Sequence, residues 1–439
     1  MQLPLFKSDK KHEKPGFSGT KKNILNDILK TDLNFTVYNE VNRRHYWHAF
    51  PAKFPPQLPA LFIEYLTDPD EIVLDPMMGS ATTLIEANRL GRRSYGLDID
   101  PLAIINTNAK LKCIDRRRIE NHLNSIVYNA ENKYKSNKKF LAEKIDKRFD
   151  EATMDFLNYW FQKSTQLELM ALLTEIEKIE DDDIISILYS VFSSTIITKS
   201  GGVSMARDLA HTRPHRVQGK KVKSAIQEFA IKVRKILNEN VNGVYSNQAA
   251  VIKGNARNIP LRDETVNLIV TSPPYANNAI DYMRAHKFSL VWLGYSINEL
   301  KELRKQYIGA ESKININEEP FSKRILKKIE SIAEIKSSKS QAFRRYCYEM
   351  LKSINEMYRV LEKESPCIIV VASSKICGID VETHKCLADL GREVGFEVIG
   401  IGKRLIDRNR RMMPFSAVKG NSKIEERMHQ EYVIGFWKN

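Results

Sequence analysis

Across 439 residues the chain has only five cysteines, Cys113, Cys347, Cys367, Cys377 and Cys386. No two stand as Cys-x-x-Cys and no histidine follows them at zinc-finger spacing, so neither a structural zinc site nor a disulfide scaffold is expected. They read as reduced, mostly buried thiols of a cytoplasmic protein. No apolar run approaches the roughly 18 residues of a membrane span, and the polar, Lys-rich opening carries no secretion signal; no membrane partner is expected. With 19 Gly and 16 Pro the chain is neither collagen-like nor low-complexity. It also lacks G-x-G-x-x-G, which disfavours a dinucleotide site, and G-x-x-x-x-G-K-[ST], which removes a Walker phosphate cradle. No internal repeat is present.

There is, however, a marked basic excess: 69 Lys+Arg against 54 Asp+Glu, a net charge of +15 and a pI near 9.3. It is concentrated rather than spread. Residues 201–240 hold nine Lys/Arg against three Asp/Glu, and residues 403–411 hold five against one. Two local basic segments fit a polyanionic partner, most simply nucleic acid, better than a uniformly Lys-rich chain. The 42% hydrophobic content excludes a disordered chain and supplies ample core.

Alternating patterns organise the chain. Residues 1–42 are expected to be an N-terminal leader, mobile over 7–23. The segment 43–56, dense in aromatics and prolines, reads as a rigid, irregular lining, followed by a helix over 57–66. A strand over 71–74, a loop, a helix over 84–90, a second strand over 94–99 and a second helix from 102 open a doubly wound α/β sheet. From 115 to 248 the patterns are almost wholly helical (152–161, 167–179, 184–198, 223–237), too long for a crossover, so an inserted helical region is expected there as the candidate target-recognition part. Strands resume over 249–252 and 266–270. A smaller insertion is expected at about 296–342, then a helix over 344–361, a strand over 367–372, a helix over 381–394 and strands over 397–401 and 432–436. The units are therefore 43–114, 115–248 and 249–439, with seven strand candidates in one Rossmann-like sheet.

Three strand ends carry chemistry. The turn Asp75-Pro76-Met77-Met78-Gly79-Ser80 brings backbone close to any ligand in the crevice at the carboxyl ends of the strands. Asp98 ends the second strand, where an acid accepts hydrogen bonds from ribose hydroxyls, while Asp100 before Pro101 is a helix cap. Thr271-Ser272-Pro273-Pro274-Tyr275 follows the strand over 266–270. Its two prolines fix the backbone and leave carbonyls free as acceptors, Ser272 adds a hydroxyl, and Tyr275 adds a stacking face. That set suits an exocyclic amine on a planar base.

In these residues the sequence resembles the amino-group DNA methyltransferases, which use S-adenosylmethionine, and Ser-Pro-Pro-Tyr resembles their cytosine-N4 branch. The resemblance spans most of the chain outside the insertions and implies a seven-stranded methyltransferase sheet. Residues 48–66 resemble the segment flanking the cofactor, including Lys53 and Phe54. Residues 75–83 resemble the D-P-x-x-G-S-G-T loop, with Asp75, Pro76, Met78, Gly79, Ser80 and Thr82 in place and Ala81 where Gly is usual. Asp98 and Ile99 fall at the ribose position. Gly254-Asn255-Ala256 resembles the Gly-Asp-Ala segment near the adenine ring, with Asn255 for Asp. An alanine at 81 costs only a methyl group if its φ is negative. The resemblance implies methyl transfer to the N4 amine of cytosine in double-stranded DNA: the base leaves the duplex and stacks on Tyr275, while Ser272 and the Pro273 carbonyl accept the amine hydrogens. Adenine-N6 methylation of DNA, an RNA amino-methyltransferase and a catalytically inactive DNA-binding relative remain alternatives. A restriction endonuclease partner and a cytoplasmic, nucleoid-associated place in a prokaryote are further implications, and no metal is expected. The expected DNA contacts are Arg207, Arg213, His215, Arg216 and Lys220 in the first basic segment, Arg284 and Lys287 after the catalytic turn, and Arg408, Arg410 and Arg411 in the second.

Overall fold

A computed structural model of the chain describes residues 16–35, 43–50, 53–112, 115–198, 202–209, 214–239, 248–276, 281–310, 320–406 and 430–439. In chain order its elements are α1 (Lys21–Lys30), α2 (Gln57–Leu66), β1 (Ile72–Asp75), α3 (Thr82–Arg89), β2 (Arg93–Asp98) and α4 (Pro101–Leu111). Six helices follow: α5 (Arg116–Ser136), α6 (Lys138–Arg148), α7 (Glu151–Trp160), α8 (Lys163–Ile176), α9 (Asp182–Ile196) and α10 (Ala225–Asn238). Then come β3 (Ala249–Lys253), β4 (Leu268–Thr271), α11 (Met283–Leu290), α12 (Ile297–Lys305), α13 (Lys323–Ile335) and α14 (Ser337–Val360). The remainder is β5 (Ser365–Ala372), β6 (Lys375–Ile376), β7 (Ile379–Asp380), α15 (Thr383–Val394), β8 (Glu397–Leu405) and β9 (Gln430–Lys438).

The seven-stranded sheet runs β3-β2-β1-β4-β5-β9-β8, with β9 antiparallel to both of its neighbours and the β3–β5 portion parallel. The chain winds outward from β1 through β2 to β3, then returns to the other side of β1 with β4. The strand order therefore reverses between β1 and β4, the place where open α/β sheets bind ligands. The interior strand β5, Ser-Pro-Cys-Ile-Ile-Val-Val-Ala, is buried along its whole length, as helices on both faces require of an interior strand. The predicted strands are all present. The strand expected from 266 starts at Leu268, Val266 instead making a lone parallel bridge to Leu361, and the hairpin β6–β7 had no sequence forecast.

The structure adds detail to two of these units. Residues 21–30, placed in the leader, form α1: Thr20 accepts the Asn23 N–H as N-cap, and Leu25, Ile28 and Leu29 are buried against the sheet. The sheet is shaped for it. A Cβ on Gly435 of β9 would stand 2.5 Å from Leu29 Cδ1, so glycine lets the helix approach. The helical insertion shares its core with its neighbours. Its core, built on Leu123, Met170, Phe192 and Phe229, continues without a break into Leu102 of α4, Met283 and Phe288 of α11, Trp292 just after it, and Leu300 of α12. At roughly 25 cal/mol per Å² of apolar surface buried, one continuous core holds the insertion and the segment 283–300 in a fixed relation. Among the described residues no helix is long and apolar enough to cross a membrane.

Candidate active site

The carboxyl ends of β1, β2 and β4 converge. Asp75 ends β1, and its Oδ1 accepts both the Met77 N–H at 3.2 Å and the Thr271 hydroxyl at 2.7 Å. That second bond ties the loop after β1 to the turn after β4. Burial pushes the Asp75 carboxyl up to about 6 against the pull of these donors. Asp98 ends β2: its Oδ2 accepts the Gly79 N–H and its Oδ1 the Asp100 N–H, both at 2.9 Å. Burial, reinforced by the nearby Asp100 charge, pushes Asp98 up to about 7. Asp100 caps α4 through the Leu102 N–H at 2.8 Å and pairs with His286 Nδ1 at 2.5 Å. Burial works against its ionisation, but the adjacent His286 prevails and holds the carboxyl below the usual range.

These groups line a cavity of about 570 Å³, a size typical of small-molecule sites. Of the predicted cofactor residues, Lys53, Phe54, Asp75, Pro76, Met78, Gly79, Ser80, Thr82, Asp98, Ile99, Asn255 and Ala256 all reach its wall. Their details sharpen the forecast. Gly79 has φ +45°, and a Cβ there would meet the Phe50 ring at 3.4 Å. Lys53 directs its ammonium to the His45 and His48 carbonyls at 2.7 and 2.8 Å, so its charge holds the 45–53 segment in place. Asn255 Oδ1 accepts from the Arg257 backbone and guanidinium at 3.0 and 2.9 Å. Ala81, the N-cap of α3, has φ +67°. The negative φ that would make an alanine harmless there is therefore not adopted, and the side chain pays about 1–2 kcal/mol for the left-handed conformation.

The turn after β4 divides. Ser272 and Pro274 face the cavity, whereas Pro273 is buried and Tyr275 lies outside this wall, its hydroxyl donating to Glu431 Oε1 at 3.1 Å. Glu431, on β9, also pairs with Arg404 of β8.

Some wall residues escaped the sequence reading. Phe50 stacks near His286 and Tyr282, with ring centroids 4.9 and 5.8 Å apart. Its only signal was membership of the aromatic, proline-rich segment. Behind the wall, Lys110, wholly buried in α4, donates to the carbonyl of the lining residue Ser80 at 2.8 Å, and burial followed by the Lys53 charge holds its ammonium well below the usual lysine range. Nothing in the sequence distinguishes it from a surface lysine. Arg304 of α12 and, just after that helix, Tyr307 and Ile308 also line the cavity.

The expected DNA contacts fare unevenly. Arg216 is exposed and lies over the Tyr159 ring at 4.9 Å, with His215 and Arg207 exposed beside it. Lys220 turns inward to the Ser204 and Ala206 carbonyls at 2.7 and 2.6 Å, so it closes its own loop. Arg284 pairs with Asp281 at 2.9 Å, and Lys287 packs over Phe156 at 5.2 Å, with its ammonium lowered by burial. Arg213, Arg408, Arg410 and Arg411 lie outside the described residues. Among the described residues no cluster of three His, Cys, Asp or Glu is placed to hold a metal.

Comparison with known proteins adds to this geometry. A family model described as DNA methylase matches residues 2–108. The Type II methyltransferase M.MvaI of Kocuria varians is 26% identical over 388 residues, covering 82% of this chain and 83% of its own. M.AvaI of Nostoc sp., also a Type II methyltransferase, is 24% identical over 418 residues, covering 85% and 83%. M.MjaII of Methanocaldococcus jannaschii, of the same description, is 22% identical over 370 residues, covering 65% and 68%.

Proposed function

Given that the chain belongs to the amino-group DNA methyltransferases, the family that methylates the N4 or N6 amines of bases with S-adenosylmethionine, we propose that it methylates the N4 amine of cytosine in double-stranded DNA. The observation that carries the choice is Ser272: a neutral hydroxyl, not a carboxylate or carboxamide, opens the Pro-Pro-Tyr turn on the wall of the cavity that Asp98 and Gly79 also line.

The residues fit the cofactor. The glycine backbone at Gly79 leaves room that a Cβ would fill, and Asp98 presents a carboxylate that has backbone donors but, among the described residues, no cation paired with it, suited to the two hydroxyls of a ribose. Asp98 would hold that diol, the 76–80 loop would cradle the methionine portion, and Asn255-Ala256 would border the adenine. S-adenosylmethionine supplies, when bound, a methyl carbon made electrophilic by its sulfonium. The chain's own part is to orient and polarise the amine. Ser272 Oγ and a carbonyl of the Pro273-Pro274 pair, of which Pro274 lines the cavity, accept its two hydrogens, turning the nitrogen lone pair out of conjugation with the ring. These fixed acceptors favour the positive charge that grows on nitrogen, which is electrostatic preorganisation. Neither serine nor proline is a strong base, so the surplus proton passes to solvent. Tyr275, braced by Glu431, offers the stacking face for the extruded base.

Nucleoside mass spectrometry of DNA treated with the protein and S-adenosylmethionine tests the proposal. N4-methylcytosine is expected, and N6-methyladenine as the product would overturn it. Ser272→Ala should lower kcat by at least about tenfold, with cofactor affinity within about twofold, because one of two acceptors is lost only in the transition state. A cognate restriction endonuclease is part of the same reading, and its test is a nuclease blocked by the product mark.

A further inference from the structure

One wall of the cavity comes from neither the strand-end loops nor the 43–56 segment, but from the end of α12 and the residues just after it. Tyr307 stands in that wall. Its hydroxyl is buried and makes no hydrogen bond among the described residues. Buried polar atoms in native proteins are almost always paired, so this one points to a partner that arrives with the ligand. Burial, followed by the charges of Asp100 and Asp98, pushes the hydroxyl well above the usual tyrosine range. It therefore keeps its proton at any physiological pH and stands as a donor near two carboxylates.

The backbone on both sides of Tyr307 is pinned. The Lys305 carbonyl accepts Arg345 Nη2 at 2.7 Å, and the Gln306 carbonyl accepts Arg257 Nη2 at 2.7 Å. The Gly309 N–H donates to Glu349 Oε2 at 2.8 Å. Glu349, buried on α14, gathers the two arginines as well: its Oε1 accepts Arg345 Nε and Nη2 at 3.1 and 3.0 Å and pairs with Arg257. Arg257 in turn reaches Asn255 on the cavity wall. Charge-assisted bonds of this kind are the strong ones, so a single carboxylate fixes the 305–309 turn and the 255–257 loop against the same helix. The Tyr307 hydroxyl is thus held in a set position before any ligand enters.

We infer that Tyr307 is a specificity-determining residue for the cofactor: its hydroxyl donates to an oxygen of the ribose diol whose hydrogens Asp98 accepts. A ribose hydroxyl both donates and accepts, whereas a carboxylate only accepts. Asp98 alone would leave the oxygens of the diol without a donor, and Tyr307 is an unpaired donor on the same wall, within reach of the Asp98 charge. This rests on the assignment of Asp98 to the ribose and adds the group that completes it. The residue lies in the smaller insertion, outside every motif at the strand ends.

The experiment compares the full chain with its Tyr307→Phe variant. Calorimetry measures binding of S-adenosylhomocysteine and, by competition, of its 2′,3′-dideoxyribose analogue; thermal unfolding is followed without either. The variant should bind S-adenosylhomocysteine about tenfold more weakly, the loss of one hydrogen bond. With the dideoxy analogue the two proteins should agree within about twofold, because the oxygen that Tyr307 serves is gone. The ligand-free variant should melt no lower than the parent, since the hydroxyl had no bond to lose. Equal affinity of the two proteins for S-adenosylhomocysteine would overturn the inference, as would a penalty that persists with the dideoxy analogue or a ligand-free variant that melts several degrees lower. Failure of the parent itself to bind S-adenosylhomocysteine would instead count against the cofactor reading, so the two failures are distinct.

Discussion

Replacing Asp98 with asparagine sets the stability of the fold against the use of its site. The carboxyl titrates at about 7 in the folded chain, against an ordinary 3.8. Some three units at 1.36 kcal/mol each correspond to about 4 kcal/mol disfavouring its ionised form in the fold. Because the folded value lies above the unfolded one, this group's favourable contribution is complete below about pH 4 and is lost as pH rises through about 7. About 3 kcal/mol of that loss falls between roughly pH 5 and pH 8. Asparagine does not titrate there, but it must turn its –NH₂ toward either the Gly79 or the Asp100 N–H, which costs about 1–3 kcal/mol at every pH. The two proteins should therefore be nearly equal in stability near pH 5, and the variant should gain about 1–3 kcal/mol over the parent by pH 8. Urea unfolding of the cofactor-free proteins across that range measures it. Addition of S-adenosylmethionine should reverse the order at pH 8, since the variant binds it about 10–100-fold more weakly once the charge that receives the ribose hydroxyls is gone. Stability curves that run parallel from pH 5 to pH 8 would refute the buried-carboxylate account.

Three further outcomes follow from particular residues. Ala81→Gly should raise stability by about 1 kcal/mol in thermal or chemical unfolding, because it removes left-handed strain at φ +67°; a loss of stability would show that the methyl group packs usefully. Arg216→Gln should flatten the salt dependence of duplex binding by about one unit, whereas Lys220→Gln should leave that slope unchanged and lower the melting temperature, since its ammonium joins two carbonyls of its own loop. Ser272→Ala, followed by steady-state methyl transfer, should act on kcat and spare cofactor affinity.

The strand-end motifs were legible because each combines a backbone demand with a chemical group. Asp75 to Ser80, Asp98 and Ser272 to Tyr275 stand where a parallel sheet exposes its carboxyl ends, and alternation fixed those ends to within about two residues. The long-range partners were not legible. Glu431 lies 156 residues after Tyr275, and no local pattern announces that its carboxylate will receive the tyrosine hydroxyl. Lys110 reads as one more cation until the fold buries it beneath Ser80. Charge counting found the basic segments but not the direction of their side chains: Lys220, Arg284 and Lys287 are each occupied within the protein. The apolar stripe of α1 was hidden by its polar surroundings, and only β8 and β9 give it a surface to cover.

The 2.7 Å bond from the Thr271 hydroxyl to Asp75 has a thermodynamic consequence. On the proposed function it makes the loop that would receive the cofactor and the turn that would receive the base parts of a single framework, so the conformational entropy lost when either is filled is lost for both. Whichever substrate arrives second meets a framework already stiffened by the first. By reciprocity each must raise the other's affinity by the same factor, and the enzyme's preference for an order of arrival then lies in the rates and not in the affinities.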